Sequence, residues 1–272
     1  MVENPVRRKL LAGGTAFGTM AFDFFTPGLA PTLAAAGAEF VILDMEHGGL
    51  GIEGVKAQCA FARGAGIVPM VRIPEPRAGL VPPILDAGAL GIMMPLVESA
   101  EQARALVAAS RYRPEGRRGL GFSVAHDRYT GGDPQAKIHA ANDGVLTIAL
   151  IESEAGAANA AEIAAVPGID LLWLGHFDLS DCLGIPGRFD DPRYRAAAGK
   201  LRDAAHEAGK PIGWVAADAT QARDALGAGF RCLCIGHEVM VLREALSSAF
   251  AVARSTIPAG NPAGNPGKGG LP

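Results

Sequence analysis

The chain has 272 residues, of which 49% are hydrophobic and 19% are charged, and its formal net charge is −3. Such a composition excludes a disordered chain and supplies enough apolar residues for one large core. The near-neutral charge gives no reason to expect nucleic acid or an anionic membrane as a partner. The four cysteines lack the spacing of a disulfide framework or a zinc site. No secretion signal or membrane span is predicted, so a cytoplasmic location is expected.

From the first strand onward, the chain repeats one unit: a helix, a glycine that ends it, an apolar strand and a polar strand end. After a polar lead-in, strands are predicted over residues 15–20, 40–43, 67–72, 89–94, 145–152, 169–174, 210–216 and 230–235. Helices are predicted over residues 31–37, 52–63, 80–86, 99–110, 158–164, 191–208, 220–226 and 239–255. Because the strands are apolar along their whole length, the pattern indicates parallel strands covered on both faces.

This repeat predicts an α/β fold, a single-domain (β/α)8 TIM barrel over residues 1–257 with a C-terminal helix. A disordered Pro/Gly-rich tail is expected over residues 258–272. A doubly wound open sheet is the alternative, and the lack of a Gly-x-Gly-x-x-Gly motif after the first strand disfavours it. The longest irregular segment, residues 113–133, is interpreted as a functional loop beside the carboxyl ends of the strands. Its Arg117 and Arg118 either meet an anionic second substrate or are solvated loop charges.

Two predicted strands deliver a carboxylate at or just after their carboxyl ends, Glu152 after the run 145–151 and Asp178 after the run 171–174. Active sites of such barrels lie at this end, where two neighbouring acids suit a divalent cation. Only two protein ligands would leave room for a bidentate 2-oxo acid. The alternatives are a surface ion pair for Glu152 and a helix N-cap for Asp178.

Arg72 ends the third strand, and Asp44, Glu46 and His47 follow the second. An arginine there would stabilise the negative charge of an enolate, or would simply pair with Asp44 or Glu46. His47 is the candidate for proton transfer because its ordinary pKa lies nearest neutrality, with Asp44 or Asp86 as the acid that orients it.

The turn formed by Gly175, His176, Phe177 and Asp178 is a candidate to bind the substrate carboxylate through backbone N–H groups. The other histidines, His126, His139, His206 and His237, lack such acidic neighbours and are assigned no role. No lysine stands at a strand end, which argues against chemistry through a Schiff base.

With these residues in order, the chain resembles the HpcH/HpaI family of metal-dependent (class II) pyruvate aldolases over about residues 12–255. The matching motifs are Asp44-Met-Glu-His47, Val71-Arg72, Met94-Pro95, the run from Arg111 to Gly119, Ile151-Glu152 and the run from Gly175 to Ser180. The resemblance implies that Glu152 and Asp178 hold Mg²⁺, Mn²⁺ or Co²⁺, that Arg72 contacts pyruvate and that His47 transfers a proton. It also implies a homo-oligomer, often a hexamer (a trimer of dimers), in which the last helix packs on a neighbour.

The implied reaction is the reversible cleavage of 4-hydroxy-2-oxo acids to pyruvate, or a close 2-oxo acid, and an aldehyde through a metal-bound enolate. An acyl-CoA lyase of the citryl- or malyl-CoA type and a 2-oxo acid decarboxylase are the alternatives. Two positions differ from the better-known members, which have glutamine where this chain has Leu150 and Pro-Ala where it has His176-Phe177. Leu150, Gly175, His176 and Phe177 are therefore expected to border the substrate and to affect substrate preference.

Overall fold

The computed structural model describes residues 3–257, which form a closed barrel of eight parallel strands paired in sequence order. The strands are β1 (Ala16–Ala21), β2 (Phe40–Asp44), β3 (Val68–Arg72), β4 (Gly91–Met94), β5 (Leu146–Ile151), β6 (Leu171–Leu174), β7 (Ile212–Ala216) and β8 (Cys232–His237). The predicted (β/α)8 barrel is confirmed. The open-sheet alternative is wrong, because β8 pairs with β1 and closes the barrel. The tail predicted over residues 258–272 lies outside the described residues.

Twelve α-helices lie within residues 3–257. They are α1 (Pro5–Leu11), α2 (Leu29–Ala35), α3 (Ile52–Gly64), α4 (Val81–Asp86), α5 (Ala100–Ser110), α6 (Pro134–Gly144), α7 (Glu154–Ala158), α8 (Ala160–Ala164), α9 (His176–Cys182), α10 (Pro192–Glu207), α11 (Ala219–Gly227) and α12 (Glu238–Ser255). Of these described helices, none has the combined length and apolar character needed to cross a membrane.

Four helices lie outside the predicted ranges: α7 (apart from its last residue) and α9, which are short, and α1 and α6, which had a start signal in the sequence. The start signal is the same in α1 and α6. Both begin with a capping side chain followed by proline: Asn4 accepts a hydrogen bond from the Arg7 backbone N–H, and Asp133 accepts one from that of Ala136. A capping residue followed by proline at the first helical position is a recognised start signal. Residues 5–11 are therefore a helix within the segment interpreted as a polar lead-in.

Alternation along the strands divides the core into two layers. On β2, Val41 and Leu43 belong to the large apolar cluster between the barrel and its helices, whereas Phe40 and Ile42 belong to the cluster inside the barrel. Successive side chains of a strand point to opposite faces of the sheet. The alternation therefore determines which residues at the strand ends point into the barrel.

The amino-terminal end of the barrel is held by the buried carboxylate of Asp170, just before β6. Asp170 accepts hydrogen bonds from Nε and Nη2 of Arg7 at 3.0 and 2.8 Å and from Nη2 of Arg111 at 3.0 Å. It also accepts one from the backbone N–H of Thr147 at 3.0 Å. The Arg111 side chain is only 2% exposed, so its charge depends on this partner.

We expect Asp170→Asn to destabilise the fold without touching the opposite end of the barrel. Removing one partner of a buried ion pair costs about 3 kcal/mol or more. For a domain of this size, that loss lowers the melting temperature by roughly 6–12 °C. Calorimetry measures it, with Asp143→Asn as the control because that side chain is 65% exposed. Equal melting temperatures for the two variants would contradict the assigned role of Asp170.

The segment over residues 113–133 lies at this same amino-terminal end, so the prediction that it stands beside the carboxyl ends of the strands is wrong. It connects the end of α5 to the start of β5 through α6. Arg118 pairs with Asp86, the last residue of α4, at 2.5 Å and lies over the Tyr112 ring at 4.6 Å. Since the Arg118 side chain is 1% exposed, this arginine is structural and does not meet a second substrate at the mouth.

Candidate active site

On three strands, the series of side chains that points into the barrel ends in a charged residue at the mouth. Asp44 continues the inward series of Phe40 and Ile42, Arg72 that of Val68 and Met70, and Glu152 that of Leu146, Ile148 and Leu150. All three charged side chains are buried. The pattern that fills the barrel interior therefore also aims these charges at one point.

Arg72 is fixed by two acids of the preceding strand end. Its Nε and Nη2 donate to the two carboxylate oxygens of Asp44 at 2.7 and 2.9 Å, and its Nη1 lies 3.0 Å from Glu46 Oε2. Asp44 also accepts hydrogen bonds from the backbone N–H groups of Glu46 and His47 at 3.2 and 3.0 Å. The side chain of Asp44 thus orients both the guanidinium and the turn that carries His47.

Glu152 is buried and receives one hydrogen bond in residues 3–257, from the backbone N–H of Leu96 to Oε1 at 2.7 Å. Leu96 has φ of 50°, a left-handed conformation that a leucine rarely adopts. This irregular residue after Pro95 had no signal in the sequence. Its backbone aims a donor at one oxygen of Glu152 and leaves Oε2 without a hydrogen-bond donor among the described residues.

A third acid, Glu46, stands close to Glu152 and Asp178. Burial is the main cause that raises the pKa of Glu152 to about 7. The neighbouring charges of Glu46 and Asp178 contribute to the rise, and the hydrogen bond from Leu96 and the charge of Arg72 oppose it. The pKa of Glu46 is also raised, first by burial, although Arg72 opposes the shift. Crowded carboxylates with little solvent favour either a shared proton or a bound cation.

Asp178 lies in the first turn of α9, whose N-cap residue is Gly175. The alternative interpretation of Asp178 as an N-cap is therefore wrong, and its carboxylate faces the cavity as an exposed group. Gly175 itself permits a close approach: a Cβ at this position would lie 2.6 Å from Glu152 Oε2. Any larger residue there would displace the Glu152 carboxylate.

His47 is exposed at the mouth, where its ring centroid lies 6.4 Å from that of Phe22. Phe22 also lies under the Arg72 guanidinium, at 5.7 Å. The loop that carries Phe22 is held by the buried Glu238, which accepts hydrogen bonds from the backbone N–H groups of Phe22, Asp23 and Phe24 at 2.6–2.9 Å. The role of Glu238 had no signal in the sequence, because its partners lie more than 200 residues away.

His176 accepts a hydrogen bond at Nδ1 from the indole N–H of Trp214 at 3.0 Å. Burial lowers the pKa of His176 to about 4, despite the opposing charge of Asp178. Its ring is neutral at neutral pH, so His176 contributes a hydrogen-bonding group rather than a positive charge.

These residues share one cavity of about 790 Å³ at the carboxyl end of the barrel. Of the predicted site residues, it brings together His47, Arg72, Leu150, Glu152, Gly175, His176, Phe177 and Asp178. Asp44 lies directly behind Arg72. Asp86 is not brought to His47 within the chain, because it pairs with Arg118 at the other end of the barrel. His237, which was assigned no role from its sequence neighbours, also lines the cavity.

The donor set at the mouth fits a divalent cation. The carboxylates of Asp44, Glu46 and Glu152 lie near the guanidinium of Arg72, and that of Asp178 lies near Glu152, so acidic groups outnumber the single arginine. No group of three or more His, Cys, Asp or Glu side chains within residues 3–257 is arranged to hold a metal ion. A pair of carboxylates would leave most coordination positions to water and substrate, as a hard cation at a catalytic site requires.

Comparison with known proteins agrees with this geometry. The profile of the HpcH/HpaI aldolase/citrate lyase family matches residues 11–245. A hydroxypyruvate/pyruvate aldolase from Chromohalobacter salexigens is 34% identical over 244 residues, which cover 89% of this chain and 94% of the relative. A 2-keto-3-deoxy-L-rhamnonate aldolase from Salmonella gallinarum is 30% identical over 255 residues, with 94% and 95% covered.

The crystal structure of an HpcH/HpaI aldolase from Desulfitobacterium hafniense superposes with a TM-score of 0.88 at 31% identity, covering 94% of this chain and 99% of that one. A barrel with an acidic centre at its mouth and relatives of these names is an enzyme of the carbon–carbon lyase class. The chain belongs to the HpcH/HpaI aldolase/citrate lyase family.

Proposed function

We propose that the protein reversibly cleaves 4-hydroxy-2-oxo acids to pyruvate, or a close 2-oxo acid, and an aldehyde. The observation that carries this proposal is the centre itself: Glu152 and Asp178 face a cavity also lined by Arg72 and His47. An acidic pair for a cation, a fixed guanidinium and an exposed imidazole are the groups that enolate formation needs.

Arg72 has the role of stabilising the oxygen that becomes negative when the 2-oxo acid loses a proton. Its guanidinium is held by Asp44 and Glu46 before substrate arrives, so little reorganisation is needed during the reaction. His47 moves the methyl proton in the synthetic direction, and its exposure leaves the ring accessible to substrate. The Gly175–Phe177 turn and Leu150 border the bound 2-oxo acid.

Glu152 and Asp178 would hold Mg²⁺, Mn²⁺ or Co²⁺. When bound there, such a cation would polarise the carbonyl of the substrate as a Lewis acid. The raised pKa of Glu152 supports the assignment, because this carboxylate is short of positive partners in the described part of the chain.

The acyl-CoA alternative is disfavoured by the charge of the cavity. Arg72 is the only lysine or arginine among the described residues that line it, and this side chain is already paired with two acids. The phosphates of a CoA thioester would therefore find no basic group there.

The assay that tests the proposal measures pyruvate release from a panel of 4-hydroxy-2-oxo acids, coupled to lactate dehydrogenase. Turnover is expected with added Mg²⁺ or Mn²⁺ and is expected to stop with EDTA. Oxidation of NADH by the coupling enzyme must depend on the substrate and on the protein. Absence of pyruvate release from every substrate and with every metal would refute the aldolase assignment.

The affinity for metal is expected to rise with pH up to about 7 and then to level off. Since the raised pKa of Glu152 is about 7, a proton competes with the cation below that pH. The proton also stabilises the metal-free fold at low pH, a contribution that is lost as pH rises through 7. Isothermal titration with Mn²⁺ at pH 5.5 to 8.5 measures the trend. An affinity that does not change over this range would contradict it.

We further propose a homo-oligomer, a hexamer arranged as a trimer of dimers, formed through α12. This helix exposes a stripe of large apolar side chains that includes Leu242, Leu246 and Phe250, which are 44–51% exposed. Their spacing of four residues places them on one face. A cytoplasmic location belongs to the same proposal, supported by four free thiols in the described chain.

Replacement of Leu246 by glutamate is expected to dissociate the oligomer. A charge in the centre of an apolar interface is costly unless it is paired. Light scattering coupled to gel filtration measures the mass, with the exposed Glu207→Gln on α10 as the control. An unchanged mass for Leu246→Glu, or a monomeric parent protein, would refute the role of α12.

A further inference from the structure

The cavity at the mouth is larger than a small 2-oxo acid requires. Its volume of about 790 Å³ lies in the range of sites for ligands much larger than pyruvate. Its lining includes Phe177, Phe189, Tyr194, Trp214 and Met240. We call these five residues with His176 the aromatic wall.

The five rings of the aromatic wall form one packed assembly. His176 lies at its centre, with ring centroids 4.5 Å from Phe177, 5.2 Å from Phe189 and 5.4 Å from Trp214. Phe189 meets Phe177 and Tyr194 at 5.3 Å each. These are the separations of edge-to-face aromatic pairs, so the wall is rigid before a ligand arrives. Phe177 is nevertheless 62% exposed, which leaves a ring available for stacking.

The hydrogen bond from Trp214 also fixes which nitrogen of His176 carries the proton. An indole N–H can only donate, so Nδ1 is the acceptor and Nε2 bears the hydrogen. Nε2 has no hydrogen-bond partner in residues 3–257 and is not among their buried unsatisfied atoms. The wall therefore offers two uncharged polar groups, the Nε2–H of His176 and the hydroxyl of Tyr194, in a surface that is otherwise made of rings and one methionine.

The charge and the few polar groups of the cavity disfavour two large groups of aldehydes. Arg72 is the only lysine or arginine that lines it in the described chain, and Asp44 and Glu46 already pair with it. The carboxylate or phosphate of a charged aldehyde would lose its hydration on binding, and no unpaired lysine or arginine would replace that hydration. A polyhydroxylated aldehyde would bury several hydroxyl groups against a wall whose Tyr194 hydroxyl and His176 Nε2–H are too few to bond all of them.

We infer that the aromatic wall is the binding site for the substituent of the aldehyde, and that the preferred aldehyde carries an uncharged aromatic group. This inference rests on the proposed aldolase function and deepens it. His176 and Phe177 of the wall directly precede Asp178 in α9. An aldehyde whose substituent stacks on the wall can therefore place its carbonyl group near Asp178. His176 is a specificity-determining residue through its Nε2–H.

The reaction with such an aldehyde is an aldol addition and needs no further reactant. The methyl group of pyruvate loses a proton to His47, and its carbon forms a bond to the aldehyde carbon. The aldehyde oxygen takes up one proton and becomes the 4-hydroxyl group. The product of benzaldehyde and pyruvate is 4-hydroxy-2-oxo-4-phenylbutanoate, with no net oxidation or reduction.

The experiment compares kcat/KM for benzaldehyde, succinic semialdehyde, glyoxylate and D-glyceraldehyde with pyruvate as the donor. Exchange of the pyruvate methyl protons with D₂O is measured beside it, because that half-reaction uses no aldehyde. We expect exchange and a kcat/KM for benzaldehyde about tenfold or more above the others, the discrimination expected for an unpaired charge or an unfilled apolar pocket. Exchange together with a preference for an anionic or polyhydroxylated aldehyde would overturn the inference and leave the proposed function intact. Failure of proton exchange would refute both the inference and the proposed function.

Variants of the wall give an independent test. Phe189→Ala is expected to lower kcat/KM for benzaldehyde about tenfold relative to that for glyoxylate, the scale of losing aromatic contacts. Trp214→Phe keeps an aromatic ring at this position but removes the indole N–H. This variant should reduce the same ratio of kcat/KM values. Tyr129→Ala is the matched control, because this aromatic side chain is 61% exposed and does not line the cavity. Line broadening of 4-fluorobenzyl alcohol in ¹⁹F NMR reports binding without turnover, and its absence in the parent protein would overturn the inference.

Discussion

Glu152→Gln is expected to abolish metal binding and turnover while leaving the fold intact. Loss of a direct ligand should weaken Mn²⁺ binding by roughly 100-fold or more, since loss of an outer partner alone costs ~10–100-fold. Glutamine is isosteric and uncharged, so it relieves the repulsion among Glu46, Glu152 and Asp178 that raises the pKa of the parent carboxylate. The melting temperature of the metal-free variant is therefore expected to equal or exceed that of the parent.

Equilibrium dialysis with Mn²⁺ and calorimetry measure the two effects together. Glu154→Gln is the matched control, because it makes the same change two residues away at an exposed position in the first turn of α7. Full metal binding by Glu152→Gln would show that the acidic pair is assigned incorrectly. Loss of binding together with a collapsed melting temperature would show that Glu152 is a structural acid instead.

Arg72→Lys is expected to lower kcat/KM by about 100- to 1,000-fold, the cost of one lost oxyanion donor, about 2.7–4 kcal/mol. Lysine keeps the charge that the fully buried Asp44 requires but cannot reproduce the paired donation from Nε and Nη2. Arg72→Ala would be harder to interpret, since stranding the Asp44 charge costs about 3–5 kcal/mol of stability.

Steady-state kinetics and calorimetry of Arg72→Lys separate chemistry from folding. Arg77→Lys is the control because that arginine is 67% exposed and lies outside the cavity. A fall in kcat/KM with a nearly unchanged melting temperature supports the role of Arg72 in stabilising developing charge. Parent-like kcat/KM in Arg72→Lys would reduce Arg72 to a structural partner of Asp44 and Glu46.

The barrel could be predicted from the sequence because each strand is an uninterrupted apolar run that follows a glycine stop, and this repeat has few other solutions. Which side chains point into the barrel could not be read from the strands, because they are apolar on both faces; the structure places Leu146, Ile148 and Leu150 inside. Convergence of Glu152, Arg72 and Asp178 on one cavity followed from parallel strands having their carboxyl ends on the same side.

What could not be predicted depends on contacts between distant parts of the chain. The backbone N–H of Leu96 donates a hydrogen bond to Glu152 from an irregular turn. Glu238 accepts hydrogen bonds from three backbone N–H groups of the loop after β1. Trp214 meets His176 across 38 residues. No local pattern marks such pairs, because the partners become neighbours only when the barrel closes.

Asp86 and Arg118 are chemically suitable residues that the described chain places at the amino-terminal end of the barrel, away from the mouth. Both lie in segments that precede a strand, and such segments reach the amino-terminal face. Their 2.5 Å ion pair satisfies two groups that the sequence had offered for catalysis and anion binding. Position relative to the next strand, rather than residue type, decides which polar groups reach the mouth.

The most direct test of the central claim is exchange of the methyl protons of pyruvate in D₂O, followed by NMR, without any aldehyde. Exchange is expected when Mg²⁺, Mn²⁺ or Co²⁺ is present, is expected to stop on addition of EDTA and should return when metal is restored in excess. The paramagnetic ions are removed before the spectra are recorded. Absence of exchange with all three metals, or exchange that persists in EDTA, would contradict an enolate-forming centre at Glu152, Asp178 and Arg72.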